Sequence, residues 1–135
     1  MGNSNLVTRE DLKNVFEALG EGDYGTRIDA LESHDYIVEQ GTSGNWTYRK
    51  WNSGIVEFWG RQDLAVPSGW SSNGALPITF PFTVKAIDGW NVIEMSYRVD
   101  RVYLNGMTTT NCQANTHSAV AGTFGFNFQF WGRWK

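Results

Sequence analysis

The spacing of hydrophobic residues changes from a helical to a strand-like period after residue 35. Before that point, four apolar residues follow the i, i+3, i+4, i+7 spacing of one helix face: Leu12, Val15, Phe16 and Leu19. Thr8 can cap this helix, Asp11 can bond back across its first turn, and Gly20 is suited to end it. The pattern therefore predicts a helix that begins near Thr8.

A second, shorter helix is predicted from Thr26, with Ile28 and Leu31 as its apolar positions. A helix this short is not stable alone in water. It needs to pack against the first helix or against copies of itself from other chains. The spacing permits a trimer without establishing one, because it spans too few heptads. We expect residues 1–35 to form a helical base or attachment segment. Its predicted oligomer interface comprises Leu12, Val15, Phe16, Leu19, Ile28 and Leu31.

Residues 36–135 show the pattern of short antiparallel strands. Tyr36–Gln40 is predicted to be a strand and residues 41–44 a loop. Residues 46–61 form two aromatic strands around an Asn-Ser-Gly turn, with Gly54 where a three-residue hairpin loop needs a positive φ. Trp46, Tyr48 and Lys50 alternate with Thr47, Arg49 and Trp51, so the two sets face opposite sides of the hairpin.

The remaining residues alternate loops and strands. Residues 62–76 are rich in Pro, Gly, Ser and Asn and are predicted to be a long loop, whereas residues 108–121 give no clear pattern. Strands are predicted at 76–84, 89–98, 101–104 and 124–131, with an Asn105-Gly106 turn between two of them. In the last strand, four phenylalanines line one face, and the other face carries Gly125, Asn127 and Gln129. These elements predict a mainly β head, built as a sandwich or small barrel and preceded by short helices.

Composition and charge narrow the function. Charged residues make up 19% of the chain and the net charge is −3, which argues against binding a nucleic-acid backbone. No apolar run approaches the ~20 residues that cross a bilayer, and the polar first residues do not form a signal peptide. We therefore expect synthesis in a cytoplasm without membrane insertion. The single Cys112 excludes an internal disulfide and is expected to be a small buried side chain.

No catalytic constellation, metal site or cofactor site is predicted. The two histidines, His34 and His117, show neither HxH nor HExxH spacing, and His34-Asp35 are adjacent, which suits neither a triad nor a metal pair. Asp88, Glu94 and Asp100 could supply a pair of glycosidase carboxylates, but turns or ion pairs are commoner reasons for carboxylates at strand ends. We therefore predict that the chain is not an enzyme.

Sugar binding has more support, because large aromatic residues lie near amides. The predicted ligand-binding residues are Trp70, Asn73, Asn111, Asn115 and His117. Trp70 could instead anchor its loop on the core. The other tryptophans, Trp46, Trp51 and Trp59, are expected to serve in core or intersubunit packing, and Arg49 or Lys50 could pair with Glu57 across the turn.

The phrase WTYRKWNSGIVEFWG at residues 46–60 resembles a segment that recurs near the C-terminus of tailed-bacteriophage tail, fibre and other virion proteins. The GRWK ending at 132–135, the lead-in VEQGTSG at 38–44 and LPITF at 76–80 are similar to the same family. The resemblance implies a terminal β-rich module of a fibre or baseplate appendage, of a kind that is often trimeric. Only 35 residues precede the match, which indicates a short fibre with almost no stalk.

The resulting hypothesis is a structural protein of a tailed-bacteriophage virion, assembled in the host bacterial cytoplasm. It would be a short homotrimeric tail fibre or appendage that contacts other virion proteins, with adhesion to host-surface glycans as a further hypothesis. Two alternatives stay open: a capsid decoration or head fibre without a dedicated receptor site, and a free carbohydrate-binding module.

Overall fold

The computed structural model describes residues 8–11, 14 and 34–135, and the chain divides into two units, Met1–Tyr36 and Ile37–Lys135. In the first unit, residues 9–11 and 14 are helical. The backbone N–H of Thr8 donates to Asp11 Oδ2 (3.2 Å), and the N–H of Asp11 donates to Thr8 Oγ1 (3.1 Å). This reciprocal pair confirms the predicted cap.

The predicted oligomer-interface residues of the first unit lie outside the described residues. They are Leu12, Val15, Phe16, Leu19, Ile28 and Leu31. Their role as a trimer base stays a prediction.

The second unit consists of two antiparallel sheets, which confirms the mainly β class predicted from the sequence. Its strands are β1 (Ile37–Ser43), β2 (Trp46–Trp51), β3 (Ile55–Val66), β4 (Gly69–Trp70), β5 (Leu76–Thr79), β6 (Ala86–Glu94), β7 (Val99–Asn105), β8 (Asn111–Ser118) and β9 (Gly122–Arg133). The five-stranded sheet has the order β1-β2-β3-β9-β6. In the four-stranded sheet, β8 pairs with β7 on one side and with the short strands β4 and β5 on the other.

The aromatic hairpin has the predicted turn, and one of its two candidate ion pairs forms. Arg49 pairs with Glu57 in the β2–β3 ladder, and their side chains form an ion pair of 3.5 Å. The turn ends at Gly54, whose φ of 98° is in the region that favours glycine and whose N–H donates to the Trp51 carbonyl (3.0 Å). Lys50 faces the other side and pairs with Glu39 of β1 (3.4 Å) rather than with Glu57.

Two stretches that were predicted to be loop are strand in the structure, and a third stretch that had no prediction is also strand. Residues 41–43 continue β1 instead of forming a loop, because they pair with the start of β2. Residues 62–66 continue β3 instead of starting a long loop, since Leu64 and Val66 are buried along β9. The unassigned stretch 108–121 contains β8, the middle strand of the second sheet. Its inward residues are small, which gave no hydrophobic signal: Cys112, Ala114, Thr116 and Ser118.

One aromatic core lies between the two sheets. Phe58 is fully buried, and its ring stacks on that of Phe130 with centroids 5.1 Å apart. Phe126 and Phe128 are buried on the same face of β9, which confirms the predicted phenylalanine face, while Phe124 at its end is half-buried. Cys112 is buried as predicted, and burial raises the pKa of its thiol to about 12.

Trp46 joins the two sheets by a specific bond. It is 5% exposed, packs edge-on against Phe58 at 5.3 Å, and its Nε1–H donates to the Thr79 carbonyl at the end of β5 (3.0 Å). Because Trp46 lies on β2 of the other sheet, this bond fixes the position of one sheet over the other. The first aromatic residue of the hairpin is therefore a core residue.

Replacing Trp46 with phenylalanine should lower the free energy of unfolding by about 1–2 kcal/mol, because the indole hydrogen bond and part of the packing are lost. Trp90→Phe is a matched control, since Trp90 is an exposed tryptophan on edge strand β6 and its change should cost below ~0.5 kcal/mol. Urea unfolding of both variants measures the difference. Equal destabilisation would show that the Trp46 bond does not hold the sheets together.

Candidate functional site

Two of the predicted ligand-binding residues, Trp70 and His117, lie side by side on the four-stranded sheet. They are register partners of β4 and β8, and their rings are 5.1 Å apart. Tyr103 of β7 adds a third ring, 6.1 Å from that of Trp70. Trp70 is 52% exposed, so it does not serve as a buried loop anchor. We call Trp70, Tyr103 and His117 the aromatic platform.

A carboxylate borders the platform. The imidazole Nδ1 of His117 lies 2.7 Å from Oδ1 of Asp100, which accepts its hydrogen bond. This bond, more than the accompanying charge attraction, holds the pKa of Asp100 below its ordinary value of 3.8. The arrangement presents aromatic faces beside an oriented imidazole and an anionic oxygen, which are groups that can recognise a polar ring-shaped ligand.

The other predicted ligand-binding residues do not join the platform. Asn111 lies at the opposite end of β8, about 20 Å from His117 at ~3.3 Å per residue, where its Oδ1 accepts from the Thr108 hydroxyl (3.1 Å). Asn115 is only 4% exposed, and its amide donates to Asn105 Oδ1 (2.8 Å). Asn73 is exposed in the turn that precedes β5. The structure therefore brings together Trp70 and His117, with Tyr103 and Asp100 as neighbours that the sequence pattern did not indicate.

A second candidate surface lies on the outward face of the five-stranded sheet. A depression of about 490 Å³ is lined by side chains from β2, β3, β9 and β6. Its polar and aromatic residues are Arg49, Glu57, Trp59, Asn91, Asn127 and Gln129. The volume falls within the ~300–1,000 Å³ of small-ligand sites. We call this depression the outer groove.

The outer groove combines one cation–π contact with free amides. The Arg49 guanidinium lies 5.2 Å from the centre of the Trp59 ring while it pairs with Glu57. Among the described residues, none hydrogen-bonds to the side-chain amides of Asn91, Asn127 and Gln129. Each of these amides therefore keeps its donor and acceptor for a ligand or solvent.

The sequence pattern indicates only the part of the outer groove that lies on β9. The alternation of the last strand places Asn127 and Gln129 on the face opposite the phenylalanines. The placement of Asn91 beside Gln129 depends on β6 crossing to the far edge of the sheet. No pattern in the sequence predicts that β6 pairs with β9 at the edge of this sheet.

No group of three or more metal-ligating side chains occurs among the described residues. Over the same part of the chain, no helix is long and apolar enough to cross a bilayer.

The pKa of Asp100 should rise towards 3.8 in His117→Ala, because the hydrogen bond that favours the carboxylate is lost. A depressed carboxyl pKa stabilises the fold above the pKa of the unfolded chain, and this contribution disappears as the pH falls through the folded value. Side-chain carboxyl NMR measures the titration directly. His34→Ala, which removes the other histidine, should leave the Asp100 pKa unchanged; an equal shift in that control would contradict the assignment.

No protein-family model matches the sequence, and no curated protein matches it. Solved structures do match. An N-truncated R2-type pyocin tail fibre aligns with 82% of this chain at 17% identity and a TM-score of 0.56, and a C-terminal part of the P. aeruginosa R2 pyocin fibre aligns with 82% at 17% identity and 0.55. The chain spans 42% and 29% of these two structures, so it covers less than half of their length.

An N-truncated R1-type pyocin tail fibre aligns over almost its whole length. The alignment covers 96% of this chain and 99% of that one, with 15% identity and a TM-score of 0.55. Identities this low establish a shared fold and leave activity open. The β head of this chain thus has the fold of pyocin tail-fibre domains.

Proposed function

We propose that this chain is a structural subunit of a tailed-phage or phage-tail-like particle, a short fibre or appendage that forms a homotrimer. The single observation that carries the proposal is the fold that the β head shares with the R1-type pyocin tail fibre, in an alignment that covers 96% of this chain. The GRWK ending and the aromatic hairpin phrase, at residues 132–135 and 46–60, support it independently, because they resemble phage virion proteins at the level of sequence.

In this proposal the first 35 residues supply the trimer base or the attachment to other virion proteins, and residues 36–135 form the head. A short helix is not stable alone in water, so its apolar stripe would be covered by the same stripe of the other chains in a trimer. The particle would be assembled in the host bacterial cytoplasm, and the protein would act as a virion component without a catalytic role, nucleic acid or membrane insertion.

We further propose that the head adheres to glycans of the host surface. The aromatic platform supports this role, because exposed rings beside Asp100 offer both apolar faces and polar partners. A trimer would present three copies of each site on one rigid body. Weak sites held together in this way gain avidity through effective concentration.

The trimer can be tested in the full chain by light scattering. We expect the molar mass of the wild type to equal three chains. The double variant Leu12→Asp, Phe16→Asp should be monomeric, because the new charges fall on the predicted apolar stripe. Asn14→Asp adds a charge to the same helix at an exposed position and should stay trimeric. A wild-type chain that is a stable monomer would refute the fibre, and a monomer that still binds glycans would favour a free carbohydrate-binding module.

Adhesion can be tested with a glycan array and with whole bacterial cells. Trp70→Ala should weaken binding at least tenfold, because the largest ring of the aromatic platform is lost. Tyr97→Ala is the matched control, since Tyr97 is 89% exposed and lies outside the platform. Binding that survives Trp70→Ala unchanged removes the platform from the proposal. A trimer that binds no cell or glycan would favour the decoration or head-fibre role.

A further inference from the structure

The register of four neighbouring strands builds the outer groove as a set of cross-strand rows. One row runs Thr47–Trp59–Gln129–Asn91, the next runs Arg49–Glu57–Trp131–Gly89, and the third runs Arg61–Asn127–Ile93. All of these side chains point away from the phenylalanine core, because strand residues alternate between faces. The groove is therefore a property of the sheet rather than of a loop.

Its amides converge from two strands. Asn91 lies on β6, whereas Asn127 and Gln129 lie two residues apart on β9, and Asn91 is directly opposite Gln129. A carboxamide offers N–H donors and a carbonyl acceptor, and each hydroxyl of a sugar ring likewise offers an O–H donor and an oxygen acceptor. Three such groups on one concave surface match a ligand with several adjacent hydroxyls.

The charges of the groove cancel. Arg49 and Glu57 are its charged lining residues, and they neutralise each other at 3.5 Å. Arg61, in the third row but outside the lining, is likewise paired with Asp63 at 3.0 Å. A carboxylate or phosphate on the ligand would have to compete with Glu57 for Arg49, so a neutral ligand fits better. The ion pair also holds the guanidinium over Trp59, which fixes one wall of the groove.

A second tryptophan provides an open ring surface at the margin. The indole of Trp131 occupies the space where a Cβ on residue 89 would lie, with its Nε1 2.7 Å from that position. Only glycine lets the ring settle onto the neighbouring strand in this way. Trp131 is nevertheless 42% exposed, so it offers a supported aromatic surface beside Glu57 and Gln129.

We propose that the outer groove is a second binding site, for a neutral saccharide held by Asn91, Asn127 and Gln129 and flanked by the aromatic rings of Trp59 and Trp131. The proposal deepens host-surface adhesion and rests on that proposed function for its biological setting. Its chemistry differs from that of the aromatic platform, where Asp100 adds a negative charge. The head would then carry two glycan sites on the outer faces of its two sheets.

The test titrates the full chain with defined probes: methyl glucoside, methyl galactoside, methyl mannoside and cellobiose as neutral saccharides, with glucuronate and N-acetylneuraminate as anionic ones. NMR follows the side-chain amide signals of Asn91, Asn127 and Gln129. We expect at least one neutral probe to shift these signals and the indole signal of Trp131. The double variant Asn127→Ala, Gln129→Ala should raise the Kd for that probe at least tenfold.

Thr123→Ala is the matched control, because Thr123 lies on the outward face of the same strand and outside the groove. Its Kd should stay within about twofold of the wild type. Asn91→Ala tests the same site from the neighbouring strand β6. A loss of binding in this variant cannot be caused by damage to β9. Thermal unfolding of each variant verifies that the fold is intact.

Three results would overturn the proposal: no groove signal shifted by any neutral probe at saturating concentration, shifts confined to the aromatic platform, or binding of the anionic probes alone. Undiminished affinity in both the double variant and Asn91→Ala would do the same. These failures leave the fibre function standing if the chain is a trimer. A monomeric chain refutes the fibre whether or not the groove binds a saccharide.

Discussion

The pairing of β3 with β9 is the constraint on which the rest of the head depends. The two strands form a continuous ladder of twelve register pairs, from Ile55–Arg133 to Val66–Gly122. One face of this ladder carries Phe58 and Phe130, which stack on each other and fill the core. If β9 slipped by one residue against β3, the Phe130 ring would turn to solvent and Gln129 would turn inward. The aromatic core therefore fixes the register, and the register in turn fixes what the opposite face presents.

This coupling explains why the hairpin phrase that marks the resemblance contributes to both structure and surface. Trp46 and Phe58 serve the core, whereas Arg49, Glu57 and Trp59, which alternate with them, form one side of the outer groove. The C-terminus secures the same hairpin, since the Trp134 indole donates to the Trp51 carbonyl (2.8 Å) and its backbone N–H donates to the Gly54 carbonyl (2.8 Å). Two of the stretches that carry the resemblance, residues 46–60 and 132–135, are thus in direct contact in the fold.

The sequence was sufficient where one strong local signal determined the outcome. Gly54 and the alternating phenylalanines predicted the turn and the last strand, because positive φ and period-two burial are properties of short segments. The sequence was not sufficient where pairing with distant strands determines the structure. β8 is a central strand, but its inward residues are as small as Ala114 and Ser118 and give no hydrophobic pattern. Asn115 was predicted to bind ligand for its amide, but its burial depends on β7, whose Asn105 accepts its hydrogen bond. Pairing between distant strands determines the burial of such residues, and it produces no recognisable pattern in the local sequence.

Placing the two proposed sites on opposite sheets has a physical consequence for adhesion. The aromatic platform and the outer groove are separated by the packed core, so a ligand on one meets no side chain of the other. Side chains that share no partners contribute to binding independently, so the two sites should act additively unless one glycan chain spans both. Avidity would then come from repetition of the whole head in a trimer rather than from cooperation within one head. Avidity of this kind compensates for a low affinity of each site. Low affinity is expected at open surfaces, because groups of the bound ligand remain partly hydrated there.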